Sequence, residues 1–67
     1  MQETTVKSLK YGEWFTIRPI ENPTEKQVYI RLAYDKSLKK YECIRFDDIC
    51  ETRYYKGERA AFTGFTF

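Results

Sequence analysis

Sixty-seven residues carry a formal net charge of +2 and contain no histidine. A chain this short can build one small core, and it lacks the side chain most often used as a neutral-pH base or a metal ligand. A 42% hydrophobic content against 33% charged residues is too apolar for a disordered tail, and no apolar run approaches a membrane span.

Residues 1–5 are polar and read as a flexible leader with no secretory character. Residues 6–67 read as a single small domain, with Val6 and Leu9 as its first apolar anchors. A glycine turn at Gly12 leads into the first predicted strand, Glu13–Arg18, rich in strand formers. Period-two alternation places Phe15 and Ile17 inward and Trp14, Thr16 and Arg18 outward. Pro19 ends regular pairing, and a polar loop with a second proline runs over 19–27.

The second predicted strand, Gln27–Tyr34, alternates Val28, Ile30 and Leu32 on one side with Tyr29 and Arg31 on the other. A polar turn reverses the chain into a third strand, Lys40–Phe46. Two registers compete. A loop over 36–39 pairs Tyr34 with Tyr41 and sets Ile30 against Arg45. A loop over 35–39 pairs Ile30 with Ile44 and Val28 with Phe46, joining two apolar stripes. A buried face selects the second.

Asp47-Asp48 makes a corner, and the segment over 47–52 is a strand or one capped helical turn. Residues 55–59 hold a second glycine turn. The run Ala60–Phe67 has Ala61, Thr63, Phe65 and Phe67 on one face. Gly64 within it signals a bulge or a close backbone approach, and the closing phenylalanines are expected to tuck into the core. Five strands with one long early loop predict an all-β fold, a small five-stranded Src-homology-3-like barrel or roll. A reduced oligonucleotide-binding barrel is the alternative.

No catalytic constellation, cofactor motif or metal-ligand set is legible, so the chain reads as a non-enzymatic binding module. Cys43 and Cys50, with no histidine, cannot complete a common zinc site. They read as reduced thiols of a cytoplasmic protein, one of them packed as a small hydrophobe. Asp47-Asp48 next to Glu51 could hold a divalent cation, but the adjacent aspartates read as turn or cap residues in preference.

Charge is uneven. Residues 26–45 carry six Lys/Arg against two Asp/Glu, while 1–25 carry three against four and 46–67 three against four. With the predicted strands in place, the outward face gathers Trp14, Arg18, Tyr29, Arg31, Tyr41 and Arg45. Lys36, Lys39 and Lys40 sit at the hairpin tip. Aromatics and arginines of this kind are enriched at protein hot spots, so a protein partner is the first reading. The same residues suit single-stranded nucleic acid, with bases on rings and phosphates on cations. Exposed strand edges also suit a homodimer. The partner, the oligomeric state and the strand order are not legible in the residues.

Leu9-Lys10-Tyr11-Gly12-Glu13-Trp14-Phe15, Val28-Tyr29-Ile30-Arg31, Tyr34–Tyr41 and Phe62–Phe67 resemble small uncharacterised proteins of bacteriophages and bacterial mobile elements. The resemblance implies a compact β domain of such origin. That family carries no assigned activity, so no functional residue follows from it.

Overall fold

The computed structural model describes residues 1–67, the side chain of Ile49 excepted. The chain is all-β. Its strands are β1 (Gln2–Thr5), β2 (Trp14–Phe15), β3 (Tyr29–Asp35), β4 (Lys40–Arg45), β5 (Asp48–Tyr55) and β6 (Ala60–Thr63), with short 3-10 turns at Val6–Ser8 and Glu25–Gln27. One antiparallel sheet is ordered β2-β3-β4-β5 and a second is β1-β6. A single bridge, Thr16 to Phe62, ties them together. The expected barrel is therefore not closed. The link between the sheets is one residue wide, and β1 and β5 each pair with one neighbour only. Among the described residues, no helix is long and apolar enough to cross a membrane.

The core lies between the sheets. Val6, Leu9, Phe15, Tyr29, Cys43 and Ala61 form it, with Ile17, Tyr41 and Tyr55 packed against its margin. The residues expected to form a loose leader instead pair with β6, Gln2 to Thr63 through Thr5 to Ala60. That pairing gives their backbone groups partners, and Val6, fully buried directly after them, anchors the strand.

The β3–β4 hairpin uses both predicted registers. Ile30 pairs with Ile44, while nearer the tip Tyr34 pairs with Tyr41 and Asp35 with Lys40. Between the two registers, Leu32 and Ala33 oppose Glu42 alone, which is a β-bulge. It relieves the conflict between joining the aliphatic stripes and closing the short turn over 36–39. Phe46 N donates to Val28 O at 2.8 Å, extending the Ile30 register as expected. Of the segment 47–52, Asp47 lies in a turn and the rest is strand. Asp48 begins β5, and its Oδ1 accepts from Cys50 N at 3.0 Å.

The facing of β2 and β3 is where expectation and structure part. Phe15 pairs with Tyr29 and Trp14 with Ile30, and directly opposed residues share a side. Tyr29 therefore joins Phe15 in the core at 8% exposure, and Trp14 joins Ile30 and Ile44 on the other face. Thr16, expected outside, is fully buried, its Oγ1 donating to Arg18 O at 2.6 Å. Both sides of this sheet are apolar, so alternation alone could not say which one a second layer covers. A tyrosine ring buries as much surface as a large aliphatic side chain, and Tyr29 takes the place expected of Ile30.

The final run also divides. Gly64 has φ +76 and follows the last residue of β6. Beyond it, Phe67 leaves the core and stacks edge-on against Trp14 (5.6 Å) and Phe46 (4.9 Å) on the other side of the sheet.

Candidate functional site

Three tyrosines on three neighbouring strands form one cross-strand row, because Tyr34 pairs with Tyr41 and Tyr41 with Tyr55. The Tyr34 and Tyr41 rings lie 4.9 Å apart. Tyr34 remains 46% exposed, so part of its ring is free to stack on another flat group. Behind the row, the Arg31 guanidinium sits 4.3 Å over the Tyr41 ring. Its Nε is buried with no hydrogen-bond acceptor, leaving the ring face as its partner.

Two hollows open along this row. The larger, about 590 Å³, is lined by Lys7, Tyr34, Leu38, Lys39, Tyr41, Lys56, Gly57 and Glu58. The second, about 400 Å³, is lined by Lys40, Tyr54, Tyr55, Lys56, Glu58 and Arg59. Lys56 and Glu58 line both, so the hollows adjoin and make a groove that bends round the β5 edge, from the Tyr34–Tyr41–Tyr55 side to Tyr54 on the other. The ion pairs among the described residues are Arg45–Asp47 and Arg53–Glu51. None of the groove's lysines takes part in them.

Backbone geometry builds the walls. Asp35 Oδ1 accepts from Ser37 N (2.9 Å) and Leu38 N (3.2 Å), folding the tip of the hairpin. Lys39 then takes φ +55, a left-handed conformation costing about 1–2 kcal/mol for an L-residue. At the floor, Gly57 O accepts from Lys7 N at 3.1 Å. A Cβ at Gly57 would stand 3.1 Å from Lys7 Cβ and 3.3 Å from Tyr41 Cε2. Glycine is what lets the turn close against that lysine and that ring.

The candidate residues from the sequence are thus divided. Tyr41, Lys39 and Lys40 line the groove. Arg31 backs it through Tyr41. Lys36 stands in the turn at the tip, outside both linings. Tyr29 is in the core. Arg45 is held by Asp47, its Nε donating to Oδ1 at 2.6 Å. Arg18 lines a separate hollow of about 220 Å³ with Ile17, Ile20, Lys26, Gln27 and Tyr29. Trp14, 44% exposed, is on the opposite face of the sheet.

Lys7, Tyr34, Lys56, Glu58 and Arg59 were missed. Lys7 and Lys56 sit beside turns, where a lysine reads as ordinary solubilising charge, and only the β1–β6 layer brings them to the hairpin. Tyr34 was lost through the bulge, which turns it to the side of Tyr41. Ionisation is shifted at the buried Cys43 and the half-buried Tyr55. Burial pushes the Cys43 thiol up to about 11. Burial, reinforced by the Tyr29 phenol, pushes Tyr55 up to about 12. Both are neutral under ordinary conditions, and a neutral buried thiol is a poor nucleophile.

No protein-family model, no curated protein and no solved structure matches the chain.

Proposed function

We propose that the protein is a non-enzymatic module that binds single-stranded nucleic acid in the groove along Tyr34, Tyr41 and Tyr55. The observation that carries this reading is the pair of adjoining hollows that together hold Lys7, Lys39, Lys40, Lys56 and Arg59 around the exposed Tyr34 ring and the half-buried Tyr41 and Tyr55 rings. Cations along a groove neutralise phosphates and release counterions. Rings within it stack on unpaired bases, each worth about 1–3 kcal/mol. A duplex keeps its bases stacked inside and offers no flat face to Tyr34. The net charge of +2 is modest, but five of the twelve Lys and Arg residues line the two hollows, against one carboxylate.

The test is a titration of fluorescently labelled single strands at low and moderate salt. Affinity should fall as salt rises, and each of Lys7→Gln, Lys39→Gln and Lys56→Gln should lower the log–log slope by roughly 0.7. Tyr34→Ala should weaken binding with the slope unchanged. Absence of binding at low salt, or binding indifferent to salt, removes the reading.

A protein-docking reading has its own support on the opposite face. There the row Trp14–Ile30–Ile44–Thr52 crosses all four strands, and Tyr54 stands opposite Glu42 beside it. Trp14, Tyr54 and Phe67 are each at least 40% exposed, and exposed aromatic clusters of this kind mark contact surfaces. Concentration-dependent sedimentation that Trp14→Ala abolishes would favour this face as a contact between copies.

A further inference from the structure

Glu58 is the feature the groove's charge does not explain. It is the one carboxylate on the lining of either hollow, and it belongs to both. It has no ion-pair partner among the described residues, although Lys56 and Arg59 are two residues before it and one after. A carboxylate placed there repels the phosphates that the surrounding lysines attract. Its side chain is exposed, and the backbone of the turn that presents it is fixed by Arg59 N donating to Lys56 O at 3.0 Å and Lys7 N donating to Gly57 O at 3.1 Å.

An ionised carboxylate is an acceptor only. The groups of a nucleic acid that satisfy it are base donors, not the backbone. In a single strand the Watson–Crick edges are free. Guanine presents two adjacent donors, N1–H and the exocyclic amine, which match the two carboxylate oxygens side by side. Cytosine and adenine present one exocyclic amine each. Thymine and uracil present only N3–H, flanked by two carbonyl oxygens that repel the carboxylate.

We infer that Glu58 is the base-selecting residue of the groove, accepting hydrogen bonds from a guanine edge and disfavouring thymine or uracil, while Lys56 on the same turn holds an adjacent phosphate. This rests on the nucleic-acid reading and adds to it a base preference set by one side chain. The two residues have separable roles. Lys56 acts on every sequence alike, and Glu58 acts on the ratio between sequences.

The experiment compares a labelled thymidine octamer with the same octamer carrying one central guanine or one central cytosine, at fixed low salt. A single guanine keeps the strand from self-associating. The wild type should bind the guanine octamer about fivefold or more tightly than the all-thymidine one, with cytosine between them. Glu58→Gln should bring the ratio to about one and raise the affinity for the thymidine octamer, because a repelling charge is gone. Lys56→Gln should weaken all three octamers by the same factor. An unchanged guanine-to-thymidine ratio in Glu58→Gln overturns the inference, as does equal binding of the three octamers by the wild type. Either result leaves the groove's nucleic-acid role standing. If no octamer binds the wild type, that role falls and this inference with it. Circular dichroism of Glu58→Gln, a substitution at an exposed turn residue, should match the wild type.

Discussion

Trp14 and Phe15 are neighbours in one short strand, yet they face different worlds. Phe15 is fully buried against Tyr29 and Tyr55, with ring centroids at 6.0 and 6.3 Å. Trp14 is 44% exposed and is partly covered by Phe46 and Phe67. Both sides of the four-stranded sheet carry large apolar groups, so hydrophobicity did not choose the core. The β1–β6 layer did, by laying Val6, Leu9 and Ala61 over the Phe15 side. The other side is covered only in part: Val28 is buried there, while Trp14 receives the ring edges of Phe46 and Phe67 and stays half exposed.

That contrast is open to direct attack. Phe15→Ala should cost about 3–5 kcal/mol in urea unfolding, the expense of a cavity in a core with little else to spare. Trp14→Ala should cost about 1–2 kcal/mol, because much of its surface already meets water. Equal losses would mean that the outer aromatic cluster is a second core. Lys39→Gly gives a smaller effect of opposite sign. Relief of the left-handed strain should raise stability by about 0.5–1 kcal/mol, net of the extra freedom of glycine in the unfolded chain, while oligonucleotide binding weakens through the lost charge.

The core side should also be the alkali-sensitive one. Cys43 has an ordinary value of 9.0 and is held near 11 in the fold, and Tyr55 moves from 10.0 to about 12. Above pH 9 the unfolded chain therefore binds fewer protons than the native one, and stability falls as pH rises. The urea midpoint should decline from pH 9 toward 11, and Cys43→Ala should flatten the first part of that decline. The subtlest contrast lies between the thiols. Cys50 is exposed and Cys43 buried, so a thiol reagent should modify one cysteine quickly and the second only on unfolding.

Much of this architecture was legible in the residues. The Ile30–Ile44 pairing followed from matching apolar stripes, and the turn at the hairpin tip from Asp35 and Ser37. The facing of Tyr29 was not legible, since a tyrosine reads as polar and its burial depends on a layer supplied from residues 2–9 and 60–63. Tyr41, Lys39 and Lys40 were recognisable members of a candidate surface because they lie on one hairpin. Lys7, Lys56 and Glu58 reach it from distant turns, and nothing in their local sequence distinguishes them from solubilising charge. Gly57 came nearest to a signal, since a glycine at a turn asks what approaches it.

The unpaired step at Leu32 and Ala33 has one more consequence. Side chains in a regular strand alternate, so Arg31 and Tyr34, three positions apart, ought to project to opposite sides. The extra residue flips that parity, and Tyr34 comes to stand over the same surface as Arg31. Spaced evenly, the same hairpin would present this ring on the Trp14 side of the sheet and leave Tyr41 without its partner. A single surplus residue thus decides which side of the molecule owns the tyrosine pair.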